Sequence, residues 1–476
     1  MKYIAIIISI VIFVGCSNDF INLVPPSTAT VATVYKTDKD FQDAIVGCYN
    51  ALRSQYGDFY LWDLASDDVV HQWGSDDNRR HLDDYTYQNN ENVFNSRWNG
   101  YYSLIYRANY ILEAIESIDE AEIPKKHAYI AEAKFMRAIA HFDLVRAFGA
   151  IPLVTRVILD DEALTMGRDP VNMVYEQIIS DLKDAGDVLP ASYIGRDVGR
   201  ATKGAAKSIL GRVYLTNKQF IDAETILKEV TTMGYKLLDN FNDLWDYSKD
   251  EHHSEYIFDI EYESDIQLGS SSTNNFLPQQ AEVAQMVGGV PGSAGNSNTP
   301  SYELIDLFED HDLRKDISVA TGWTDAEGVF HLINTNQGAK TYTKKYLTSI
   351  PRSNDSPANW KVIRYADVLL MLAEALNENN KTEEACIYLN MIRDRAGLSQ
   401  ISGLSKDELR EVIYIERRLE LSHEGHRIWD LFRTGRALQA CGPLGMQPYM
   451  VLFPIPLAQI QVMNNREIFP QNPGWD

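Results

Sequence analysis

The sequence predicts a mainly helical protein, in which pairs of helices form a scaffold interrupted by loop-rich insertions with short strands. Three observations carry that reading. Apolar residues recur at helical spacing along most of the chain, and capping residues bracket those stretches. Two windows of 34 residues each, 201–234 and 364–397, hold two helical patterns broken near the middle. Helices that follow one another without intervening strands are expected to fold back in pairs.

The first residues read as an export signal. Lys2 precedes an apolar run from Ile4 to Val14 and the dipeptide Gly15-Cys16, and a run this short cannot span a bilayer. Residues 1–15 are therefore expected to be a lipoprotein signal peptide, with Cys16 lipidated and residues 16–34, including Pro25-Pro26, as the tether. Phe13 stands where a Leu is usual in such a cleavage site. Three acyl chains on Cys16 would hold the protein at the membrane, each buried methylene adding about 0.8 kcal/mol. Loss of Lys2 with the signal moves the net charge from −23 to −24, which makes nucleic acid an improbable partner. Cys48, Cys386 and Cys441 are too few and too far apart for a disulfide framework, and none has metal-ligand spacing.

The body is expected to run over 35–476 as one domain, with helix pairs at about 38–118, 125–188, 201–234 and 361–397. Phe41, Ala44, Ile45 and Cys48 mark the first helix, and Leu104, Ile105, Ala108, Ile111, Leu112 and Ile115 the second. Pro124 opens a third whose Ala131, Phe135, Ala138, Phe142 and Val145 share a face until Gly149 ends it. Asp169-Pro170 should cap a fourth carrying Val174, Ile178 and Leu182. The two 34-residue windows have the length of a tetratricopeptide repeat, with small residues such as Ala206, Gly211 and Ala373 where helices must approach. Their match to the full consensus is poor, so the scaffold reads as a degenerate version of that repeat. Tyr256 to Ile260 reads as a strand.

Ser405 with Glu408 is a capping box, so a further helix should start there and stop before Gly425. It leads into the densest paired charge in the chain, E-R-R-L-E-L-S-H-E-G-H-R-I-W-D-L-F-R-T-G-R from Glu416 to Arg436. Carboxylates beside apolar bulk need guanidinium partners, so this stretch is expected to be an interior brace, with Arg417 and Arg418 flanking Glu416 and Glu420. His423 and His426 are three apart across a helix-ending Gly, which is not zincin spacing. The pattern E-R-R-x-E-L-x-x-E-G-H-R-x-x-D-L-x-R resembles the C-terminal signature of the SusD/RagB-like family of glycan-binding outer-membrane lipoproteins. Arg364 to Met371 with Ala373-Glu374-Ala375 resembles its preceding helices, and Leu452 to Pro456 with Gln471 to Gly474 its terminal segment.

That resemblance implies a SusD-like fold and an outer-membrane location. It also implies a glycan ligand and a TonB-dependent, SusC-like transporter as partner. The residues supply candidates for the binding site. Sugars are held by stacking on Trp or Tyr while Asp, Asn, Gln and Arg bond their hydroxyls. Two polar loop stretches carry such residues, 57–95 with Asp67, Asp68, Trp73 and Arg79, and 321–328 with Trp323, so these five are the candidate ligand-binding residues. A third irregular stretch, 264–301, is rich in Gly, Ser, Asn and Pro. Asp76, Asp77, Asp83 and Asp84 lack the calcium-loop spacing, and no nucleophile elbow, phosphate loop or His-x-x-x-His pair is present. No cofactor, metal or catalytic residue is therefore expected. Two other classes stay open, a surface glycosidase with two carboxylates across a cleft and a repeat scaffold that binds peptide or protein along its helix faces.

Overall fold

The computed structural model describes residues 35–71, 77–249, 251–288, 295, 297–334 and 340–475. The expected lipidation site Cys16, the expected signal 1–15, the expected tether 16–34 and Trp73 lie outside the described residues. No helix of the described chain is long and apolar enough to cross a membrane.

Ten helices of eight residues or more build the scaffold among the described residues. They are α1 (Asp38–Tyr56), α2 (Asn92–Glu116), α3 (Lys126–Phe148), α4 (Val171–Val188), α5 (Lys203–Thr216), α6 (Phe220–Thr231), α7 (Tyr365–Glu378), α8 (Thr382–Arg395), α9 (Lys406–Leu421) and α10 (Arg427–Thr434). Thr37 and Asp40 form a capping box that starts α1, whose Phe41, Ile45, Cys48 and Leu52 form one buried stripe. Almost every residue of α3 from Ala131 onward is buried, which suits its place between α2 and α4. Gly149 ends it at φ 73°, where a Cβ would also meet Leu452 Cδ1 at 2.9 Å. Pro170 opens α4 as expected, but the Asp169 carboxylate accepts from the Leu153 amide (2.8 Å) instead of capping the helix.

Each helix packs on the next: α1 on α2, α2 on α3, and so through α4, α5, α6, α7 and α8. The stack is continuous from α6 to α7 although residues 232–364 intervene. That excursion is closed by an antiparallel strand pair, Tyr256–Ile260 against Trp360–Arg364. The first strand was legible from the sequence; the second falls where the fourth helix pair was expected to begin, so that pair starts at Tyr365 instead of 361. All five residues of Trp360–Arg364 are buried, which erases the alternation that marks a strand.

A three-residue hairpin inside the excursion corrects the expectation for Trp323. Gly322–Thr324 pairs with Phe330–Leu332, and Asp325 accepts the Glu327 and Val329 amides (3.1 and 2.8 Å) to shape the turn. The polar residues that suggested an open loop are the turn. Trp323 points inward, 8% exposed, stacked on His331 at 5.1 Å and packed in a small cluster with Leu277, Val283, Ala320, Ile333 and Tyr342.

At the centre lies a buried charge network. Arg364 donates to Glu255 (2.8 Å), Glu420 (2.6 Å) and both oxygens of Glu424 (2.9 Å each). Arg314 pairs with Asp312, Glu416 and Glu420, Arg393 with Glu416, and Arg395 with Glu255 and Glu420. Lys345 reaches Glu424 (2.8 Å) and the Glu420 and Ser422 carbonyls. Five cations thus face five carboxylates from six stretches of chain, which is the expected brace. Arg418 departs from expectation: it turns away from Glu416 and Glu420 toward Asp68 and Asp67. A second cluster joins Arg417 and Arg212 to Asp367, and Arg417 and Arg433 to Asp430.

Truncating Arg364 removes a cation shared by three buried carboxylates and leaves the remaining cations to hold them, so Arg364→Ala should lower the unfolding free energy by about 3–5 kcal/mol in chemical denaturation. Trp323→Ala should cost about 3 kcal/mol through loss of packing, read by the same method. The pH profile tests the network independently. Burial pushes Glu424 and Asp430 up, but facing cations outweigh it and hold both at about 2: Arg364 and Lys345 for Glu424, Arg417 and Arg433 for Asp430. A carboxyl depressed on folding stabilises fully above its unfolded value, and that stabilisation is lost as pH falls through the folded one. Burial also lowers His423 to about 3 and His426 to about 4, so they too favour folding less as pH falls below 6.5. Glu251 and Asp259, raised by burial to about 7 and about 6, act in the opposite sense, losing stability as pH rises through those values. The denaturation midpoint should therefore change little between about pH 5 and 7 and fall steeply below about pH 4.5.

Candidate ligand-binding site

A concavity of about 560 Å³ opens where the start of α2 meets the end of α1. Asn92, Asn95, Ser96 and Asn99 line it, at the i, i+3, i+4, i+7 spacing of one helix face, while Phe94, Trp98, Tyr101 and Ile105 bury the other. Amphipathicity thus delivers a row of amides and a hydroxyl to one wall. Gln459 from the C-terminal region donates to Asn99 (2.9 Å) and fixes the orientation of that row. Gln55 and Asp58 complete the opposite side, with Tyr60 and Arg79 at one end.

Arg79 sits in the short helix Asp77–Asp83 and is half-buried. Its guanidinium donates to the Tyr60 hydroxyl (2.8 Å) and the Ser297 hydroxyl (2.7 Å), and lies 5.6 Å from the Tyr60 ring centroid. Of the sequence candidates among the described residues, Arg79 is the one that lines this concavity. Trp73, outside the described residues, falls in sequence between the strand Val69–Val70 and that short helix.

Asp67 and Asp68 hold a different position from the one expected. Arg427 grips Asp67 with two parallel bonds (2.7 and 2.8 Å), and Arg418 donates to Asp68 (2.6 Å) and to the Asp67 carbonyl (2.9 Å). Ser301 donates to both backbone carbonyls, and Val69–Val70 pairs with Thr299–Pro300 immediately after. Burial raises Asp68, whereas the Arg427 and Arg418 charges overcome burial and lower Asp67. Both carboxylates are therefore consumed inside a latch between the early loop and the C-terminal helices. Trp323 lies in the hairpin cluster described above and does not line the concavity.

Sequence reasoning missed Arg97, Gln55 and the Asn row. Their signal was present only as polar residues on one face of a helix whose other face is apolar. Chemically the site offers amide, hydroxyl and guanidinium donors without a paired acid and base. Among the described residues no group of His, Cys, Asp or Glu is arranged to hold a metal ion.

Comparison with known proteins places this architecture. A SusD family model matches residues 322–444, and a second, described as starch-binding associating with outer membrane, matches residues 19–215. SusD-like protein P2 of Formosa agariphila is 29% identical over 524 aligned positions, covering all of both chains. A laminarin-binding SusD-like protein of known structure superposes with a TM-score of 0.79 at 28% identity, over 92% of this chain and all of that one. A SusD homologue of Bacteroides thetaiotaomicron gives 0.80 at 27%, over 94% and 98%. With the buried signature, the helix-pair stack and the intervening excursion matched along nearly the whole length, the chain belongs to the SusD/RagB family, a family of binding proteins and not of enzymes.

Proposed function

We propose that the protein is a surface glycan-binding protein that holds oligosaccharide in the concavity between α1 and α2 and passes it to a TonB-dependent, SusC-like transporter in the outer membrane. The observation that supports this most is the concavity itself, a polar recess of about 560 Å³ built by scaffold helices and walled by amides and a guanidinium. Membership of the family and the laminarin-binding relative support glycan as the ligand class. The transporter and the lipid anchor at Cys16 rest on the resemblance and on the signal motif.

Arg79 is assigned the direct hydrogen-bonding role, and Trp73, a near neighbour in sequence, the stacking role. Asp67 and Asp68 are positioning residues: they tie the segment 63–70 to α9 and α10. Trp323 is withdrawn from the site, since a ring already covered by His331 and its cluster has no free face.

A glycan array followed by calorimetric titration on the body from Ser17 onward tests the reading. Arg79→Ala and Trp73→Ala should each weaken the best glycan by about 1–2 kcal/mol with melting temperatures within a few degrees of wild type. Incubation with that glycan should release no new reducing ends. Absence of binding to any glycan, or accumulation of reducing ends, would reject this function.

A further inference from the structure

One cation in the site is unlike the others in the molecule. Arg137, Arg314, Arg364, Arg395, Arg417 and Arg427 are all buried, and each faces at least one carboxylate within 3.2 Å. Arg97, on α2, is just as buried at 5% exposure and lines the concavity. Yet among the described residues it forms neither an ion pair nor a hydrogen bond; its contacts are the faces of Phe59 and Trp62, each with its centroid 6.0 Å from the guanidinium carbon. Burying a guanidinium without a counter-charge is costly, and ring faces offset only part of it. The N–H edge that the rings leave open belongs to the concavity.

A second polar group is left open beside it. Gln55 is 8% exposed, lines the facing side of the recess and has no hydrogen-bond partner among the described residues. Its place exists because residue 100, one turn beyond Arg97, is glycine: a Cβ there would lie 1.8 Å from Gln55 Nε2. Among the described residues the charged groups that line the recess are Arg97 and Arg79 within and Asp58 at its exposed rim, where water screens the carboxylate. Arg97 therefore presents a positive charge to the recess inside a protein of net charge −23.

We infer that this recess is an anion subsite, in which Arg97 with Gln55 grips a carboxylate or sulfate group on the glycan, so that the protein selects acidic glycans over neutral ones. The planar guanidinium matches either oxyanion with two parallel bonds. Because the surface as a whole repels anions, the selection is made at contact and not by long-range attraction. The inference rests on the glycan-binding function proposed above and specifies its substrate class.

The test uses chemically matched pairs on the full body from Ser17. One pair is oligogalacturonate and its methyl ester, the other an oligosaccharide of carrageenan and its desulfated form, each titrated by calorimetry. Wild type should bind the charged member of at least one pair about tenfold or more tighter than the neutral member. The pair in which the preference occurs separates carboxylate from sulfate. Arg97→Gln should bring the ratio close to one without lowering the melting temperature, since no partner is stranded. Arg97→Lys should keep part of the preference, and it carries the test if the Gln variant fails to fold. A ratio near one in wild type, or a full ratio in Arg97→Gln, overturns the anion subsite. If neutral glycans still bind in that case, the glycan function stands without it; if no glycan of either kind binds, both fall.

Discussion

The contact on which most of the structure depends is the one between Arg364 and the carboxylates Glu420 and Glu424. A guanidinium taken fully out of water needs all its donors met, and here they are met by Glu255, by the two glutamates and by a backbone carbonyl of α9. Arg364 is also the last residue of the strand that closes the excursion and the residue that precedes α7. One side chain thereby fixes the clasp of the insertion, the start of the last helix pair and the end of α9 relative to one another. Replacing such a network by apolar residues is often tolerated energetically, whereas removing one member is not. Its presence is therefore better explained by the single arrangement it imposes than by net stabilisation.

From that fixed centre the functional surface follows. Asp63 accepts the Gly425 amide, and Asp67 and Asp68 are held by Arg427 and Arg418, so the early loop is aligned by the same C-terminal segment that holds the core. Gly425 is at φ 74° with Phe59 2.6 Å from where its Cβ would be, so this crossing tolerates no side chain. The wall of the recess then comes from α2, whose opposite face is committed to the core. The recess is rigid on the helix side and bounded on the other by a short helix and turns, an arrangement that lets ligand preference change without disturbing the stack.

Much of the scaffold was legible in the sequence, because helical period and caps are local signals. Thr37, Ser405 and Gly149 act where a reader would place them, and the strand at 256–260 is found. What was illegible depended on distant partners or on elements too short to show a period. Trp360–Arg364 is buried on both sides and has no alternation, and each strand holding or facing Trp323 has three residues. Asp67 and Asp68 read as polar loop residues because nothing local announces Arg427 and Arg418. Arg97 reads as part of a helix that also carries Trp98; only the absence of a counter-charge in three dimensions sets it apart.

The latch also bears on how the chain reaches this state. Arg418 and Asp68 are 350 positions apart, and Arg427 and Asp67 are 360 apart. Contacts so remote in sequence cannot form while the chain is being synthesised, and they raise the entropy of loop closure that the search for the native state must overcome. The helix pairs near the N-terminus can collapse early, but Asp63, Asp67 and Asp68 keep unmatched charges or acceptors until residues 418–427 arrive. Completion of the core therefore belongs to the final step of folding, and an unfinished or C-terminally truncated chain would remain open, hydrated around its acidic loop and within reach of chaperones.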